Sequence, residues 1–172
     1  IVVQHVYPDD GISGTLSDLY ATTLKVTDAA GGVGTADTTV TVHDVAPVVS
    51  LSATPRIAED GTVHISGLFT DVGYQDTHTV VVNWGEGDPE SLPFVQGAGY
   101  GTFEASHQYL DDNPSNTPSD VYTITVTVTD DDTGAGQASA LVTVDNVAPT
   151  VDAGPSQAAT EGQTVSLAPA TF

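Results

Sequence analysis

The chain has 172 residues, 39% of them hydrophobic, and two basic residues, Lys25 and Arg56, against 23 acidic ones, for a formal charge of −21. Such a surface repels nucleic acid and anionic membrane, excluding both as partners, and it favours cations. Without cysteine there is no disulfide framework or thiol chemistry, and no apolar run approaches membrane-spanning length, so direct membrane insertion is not expected.

In chain order, the first element is a phrase that the sequence uses twice. His107 lies 102 positions after His5, and at that one ungapped offset 23 of the 50 residues from Ile1 to Ser50 recur. The span is too long for a solenoid unit, so the repeat is a whole domain. Tyr7 pairs with Tyr109, Asp10 with Asp112, Asp18 with Asp120, Tyr20 with Tyr122 and Asp28 with Asp130. A weaker match continues further on, where "AEDGTV" lies over "TEGQTV". Residues 1–47 are therefore expected to be the C-terminal part of one repeat, 48–149 a complete repeat and 150–172 the start of a third. The first residue is not Met, which suggests a processed or excerpted piece.

Within the complete unit, "VVNW" reads as the end of a third strand, with Trp84 packed in the core and Gly85 and Gly87 permitting a tight turn around Glu86. "FEASHQY" follows, with Phe103, Ala105, His107 and Tyr109 facing inward. In "VYTITVTVTD" Tyr122, Ile124, Val126 and Val128 alternate with threonines, the period of two that buries one face of a strand and wets the other. "ALVTVDN" repeats the pattern with Val142 and Val144 inward. Gly, Pro, Asn and Asp clusters separate these segments. About seven short strands per unit predict an all-β fold: antiparallel Greek-key sandwiches of immunoglobulin-like type, arranged in tandem. "SDVY" fits a tyrosine corner built on Tyr122.

"VVNWGEG", "HQYLDD", "VTVTDDDTG" and "NVAPTVDAG" together resemble the PKD (polycystic kidney disease) repeats of bacterial secreted proteins, and the likeness spans essentially the whole chain. Family repeats usually carry Asp-Trp-Gly-Asp-Gly, where this chain has Asn83 and Glu86 in the two acidic places. The first unit also differs from the second, with Ala29 and Ala30 opposite Asp131 and Asp132. The resemblance implies an extracellular β-sandwich used as a spacer, stalk or adhesion module at the cell surface or in secreted proteins.

No segment assembles a nucleophile, base and orienter, so catalysis is not expected. His5 and His107, inward beside a tyrosine, read as hydrogen-bonded core residues, and His43, His64 and His78 share no metal-ligand spacing. Asp111 and Asp112 would mimic a glycosidase pair only with a carboxyl facing them across a cleft. Tyr74, Phe94 and Tyr100 fall in loops, where they either cover the sandwich end or form a sugar-stacking platform.

The acidic loops carry the strongest signal. Immunoglobulin-like strand order places "TDVGYQD", with Asp71 and Asp76, and "TDDDTG", with Asp130, Asp131 and Asp132, at one end of the complete unit. The facing end of the preceding unit presents Asp44 together with Asp9 and Asp10, joined through a short "VAP" linker. A hard divalent cation resolves the resulting repulsion, and calcium is the expected cofactor, with Asp44, Asp71, Asp76, Asp130, Asp131 and Asp132 as its ligand pool. The expected role is a structural spacer of a large secreted or cell-surface protein or fibre. Its partners would be neighbouring repeats of the same chain or head-to-tail copies. The alternative is a carbohydrate-binding or adhesive module with surface glycans as ligand.

Overall fold

A computed structural model describes residues 2–11, 13–112, 115–152 and 154–166. The described part is all-β, with eleven strands and no helix, so no helix is long and apolar enough to cross a membrane.

The first two strands, β1 (Ser17–Thr27) and β2 (Val33–His43), form a separate antiparallel hairpin. The other nine lie between Val48 and Asp145 and make two sheets. One orders β3 (Val48–Ala53), β5 (Gly61–Thr70), β9 (Tyr100–Tyr109) and β8 (Phe94–Gly97). Its partner orders β4 (Arg56–Ala58), β11 (Ala135–Asp145), β10 (Ser119–Asp130), β6 (His78–Asn83) and β7 (Glu90–Ser91). This is the two-sheet Greek-key order of the immunoglobulin-like sandwich.

Nine strands stand where about seven were expected because the leading edge strand changes sheets and a two-residue strand, β7, is added at the edge beside β6. β3 pairs antiparallel with β5, the chain turns through Thr54 and Pro55, and β4 then runs parallel to β11. Proline supplies no N–H to a ladder, so a strand break falls there naturally, and the Pro55 carbonyl accepts a bond from the Thr143 N–H. Phe94 and Tyr100, expected in loops, instead begin β8 and β9.

The alternating residues of β10 and β11 point where their period predicts. Ile124, Val126, Val128, Val142 and Val144 are fully buried, joined by Val63, Phe69, Val80, Val82, Trp84 and Tyr109 from the other strands. Buried polar groups in this core find partners. Tyr109 donates its hydroxyl to the Trp84 carbonyl at 2.6 Å, and Trp84 donates Nε1–H to Glu90 Oε1 at 2.5 Å. His107 stacks on Trp84 with ring centroids 4.9 Å apart and its Nε2 bonds Glu86 Oε1 at 2.8 Å, so it is a hydrogen-bonded packing residue. Gly85 and Gly87 have φ of 86° and 65°, the left-handed turn after Trp84 that the sequence predicts. The Tyr122 hydroxyl donates to the Asp111 carbonyl eleven residues upstream at 3.4 Å, forming the tyrosine corner, and Tyr20 does the same to Asp9 at 3.4 Å.

The β1–β2 hairpin has β10–β11 geometry without the second sheet. Leu24 and Val26 are 58% and 61% exposed, whereas Val126 and Val128, 102 positions on, are 0% exposed. His5 contacts Tyr7 edge-on, with centroids 4.7 Å apart, and is exposed rather than inward. Residues 154–166 contain no strand.

Candidate metal centre

Two loops converge at the end of the sandwich that faces the hairpin. Asp130 pairs with His78 in the β6–β10 register, which brings the β5–β6 loop beside the β10–β11 turn. The β10–β11 turn is shaped by Asp130, whose Oδ1 accepts the N–H groups of Asp132 at 3.1 Å and Gly134 at 2.7 Å. Asp28 folds the equivalent turn of the hairpin in the same way, bonding Ala30 at 2.9 Å and Gly32 at 2.8 Å. In both turns one carboxylate oxygen, Oδ1, is used by the backbone, and Oδ2 of Asp130 is left buried without a hydrogen-bond partner.

Opposite these loops stand Asp9 and Asp10 from the segment before β1 and Asp44 just after β2. Three groups of carboxylates have oxygens within 4.8 Å of one another: Asp9, Asp10 and Asp132; Asp44, Asp76 and Asp130; and Asp76, Asp131 and Asp132. They overlap through Asp76 and Asp132, forming one continuous acidic cluster that spans the junction. A crevice of about 50 Å³, lined in part by Asp9, Asp10, Asp44, Val72 and Asp76, lies between the two sides.

Burial makes the cluster unusual. Asp132 is only 1% exposed, and Asp10, Asp76 and Asp130 are also buried. One oxygen each of Asp10, Asp44, Asp76, Asp130 and Asp132 is sequestered and accepts no hydrogen bond. Buried carboxylates normally have a cation or donors. Among the described residues the only ion pairs are Arg56–Asp145, His78–Asp71 and His107–Glu86, none of which reaches these oxygens. Burial first, and then the neighbouring carboxylates, raise the acids: Asp76 to about 7, with Asp71 and Asp9 adding to the effect, and Asp10 to about 6, with Asp132 and Asp44 adding. Asp44 and Asp130 are raised for the same reasons, burial ahead of mutual repulsion.

Of the six carboxylates that the loops pointed to, Asp44, Asp76, Asp130, Asp131 and Asp132 come together. Asp131 also holds the loop, its Oδ1 accepting the Thr77 N–H at 2.8 Å. Asp71 sits beside the cluster, but its carboxylate is engaged: Oδ2 meets His78 Nε2 at 2.9 Å in a fully buried pair, and Oδ1 accepts the Gly73 N–H at 3.1 Å. Asp9 and Asp10 complete the set. Their place was readable from topology, but the depth of Asp10 was not.

The aromatic candidates separate. Phe94 packs against Phe69 with centroids 5.8 Å apart and belongs to the core, whereas Tyr74 and Tyr100 are about half exposed. Asp111 and Asp112 do meet a third carboxyl, that of Glu59, in a tight group rather than across a cleft.

Sheet order, tyrosine corners and core together define an immunoglobulin-like β-sandwich module. Among solved structures the chain is similar to the PKD domain of an M14-like peptidase from Thermoplasmatales archaeon SCGC AB-540-F20, at 15% identity and a TM-score of 0.44, over 60% of this chain and 97% of that one. No family model and no curated protein matches the sequence.

Proposed function

We propose that this chain is a structural repeat of an extracellular protein or fibre, stiffened by calcium between successive units. The observation that carries the reading is the set of buried, unpartnered oxygens contributed from both sides of the linker by Asp10 and Asp44 on one side and Asp76, Asp130 and Asp132 on the other. Each like-charge pair at 4 Å costs about 1 kcal/mol in water and several times more when desolvated, and neither Lys25 nor Arg56 is paired with them. Calcium takes six to eight oxygens at about 2.3–2.6 Å in tolerant geometry, so carboxylates from irregular loops suit it better than the strict octahedron of magnesium. An ion held by both sides makes the linker stiff, which is what a spacer needs.

The exposed apolar face of the hairpin supports the second part of the reading, association with a neighbouring repeat or a head-to-tail copy. Leu24 and Val26 occupy positions that a second sheet covers in the complete unit. Calcium titration followed by thermal melting tests the proposal. At about 100 times its dissociation constant, an ion bound only by the folded chain adds about 2.7 kcal/mol of stability. A melting curve unmoved by calcium or by chelator would contradict it.

A further inference from the structure

At the opposite end of the sandwich a second group of carboxylates gathers around the outgoing linker. The turn between β4 and β5 supplies Glu59, and the segment after β9 supplies Asp111 and Asp112; one oxygen from each lies within 4.8 Å of the others. Oxygens this close together are near enough to share one calcium ion, which binds its ligands at about 2.3–2.6 Å. Asp112 is only 8% exposed, and its Oδ2 is sequestered without a hydrogen-bond partner. A buried carboxylate with an unpartnered oxygen, grouped with two further carboxylates, calls for a cation. The nearest basic side chain on the adjoining strands, Arg56, is bound to both oxygens of Asp145 at 2.6 Å.

The framework around the three residues is already fixed. The Glu59 N–H donates to the Asp145 carbonyl at 2.8 Å, the Asp60 N–H to the Tyr109 carbonyl at 2.7 Å, and the Asp111 carbonyl accepts the Tyr122 hydroxyl. Glu59 Oε1 accepts the Val147 N–H at 2.8 Å, so the same carboxylate that faces the two aspartates also holds the linker after β11. Asp111 and Asp112 stand 102 positions after Asp9 and Asp10, which line the first cluster.

We infer that Glu59, Asp111 and Asp112 form a second divalent-cation site, of calcium type, that fastens the outgoing linker to the sandwich through Glu59. The site differs from the first in donor set, since Asn146 stands where the first unit has Asp44. With fewer and more exposed carboxylates it binds more weakly. It shares no residue with the junction cluster, so either site can fail while the other stands.

Isothermal titration of the full chain with calcium chloride separates the two. In a D76N/D132N variant, which cripples the junction cluster, one weak calcium-binding event persists, and adding E59Q and D112N weakens it at least tenfold. In the otherwise wild-type chain, E59Q/D112N lowers the number of bound ions by one. Amide resonances give a readout that needs no substitution: those of Glu59, Asp112 and Val147 shift saturably as calcium is added to the wild-type chain. Unmoved amides at these three positions, or an E59Q/D112N protein that binds as many ions as the wild type, would overturn the assignment.

Discussion

The side chains of Asp44 and Asp130 reach toward each other from opposite sides of the linker and meet in front of Gly134, where a β-carbon would collide with Oδ2 of both. A glycine at that position leaves room for two carboxylates to converge, and for whatever bridges them.

The first prediction follows from that contact. Gly134→Ala places a methyl between the two carboxylates and forces them apart. The fold should lose about 1–3 kcal/mol, as overpacked sites do. Calcium should raise the melting temperature much less than in the wild type, because the oxygens from the two sides can no longer share an ion. Thermal melting of the variant with and without calcium checks both effects, and a full calcium response in the alanine variant would count against a bridging role.

The second concerns pH. Asp76 and Asp10 are raised to about 7 and 6, while in the unfolded chain both titrate near 4. Between those values the folded chain holds more protons than the unfolded one, so without metal the stability these two groups contribute is full below about pH 4 and is lost as pH rises through about 7. The loss should amount to several kcal/mol. Calcium displaces those protons, so in its presence the trend should flatten or reverse. Melting curves in chelator at pH 5 and pH 8 test the sign; a chain that is more stable at pH 8 without metal would contradict it.

Two hydrogen bonds of similar length should differ in weight. The Tyr109 hydroxyl is fully buried against the Trp84 carbonyl, and Tyr109→Phe strands that carbonyl, costing about 1–3 kcal/mol. Arg56 and Asp145 form a short bidentate pair, but in water, so Arg56→Ala should cost no more than about 1 kcal/mol. Urea unfolding of the two variants ranks them, and the reverse order would show that the edge strand β4 depends on Arg56 far more than its exposure implies.

Much of this fold could be read from one strand. The alternation from Tyr122 to Val128 named the inward face, and strand order then carried the loops holding Asp76 and Asp130 to one end. The local chemistry of the turns was legible too, since Gly85 and Gly87 mark the left-handed positions after Trp84. What the sequence concealed depends on contacts between distant segments. Pro55 breaks the edge strand in two, yet only tertiary pairing with β11 shows where its second half goes. Asp71 belongs by spacing with Asp76, and only the folded chain shows that His78 bonds its Oδ2 across the loop. Glu59 sits in an ordinary turn sequence, and its proximity to Asp111 and Asp112 arises only when β4 lies beside β11. The repeat offered a hint, because Asp111 and Asp112 match Asp9 and Asp10, but the third carboxylate has no counterpart in residues 1–47.

The most direct test of a calcium-stiffened junction is small-angle scattering from the full chain in saturating calcium and again in excess chelator. With calcium, the hairpin and the sandwich should hold one fixed arrangement, giving a single sharp distance distribution. In chelator, repulsion among Asp10, Asp44, Asp76, Asp130 and Asp132 should release the junction, so that the distribution broadens and the maximum dimension changes. Superimposable curves in the two conditions would contradict the account and leave the acidic loops as a solvated, metal-free surface.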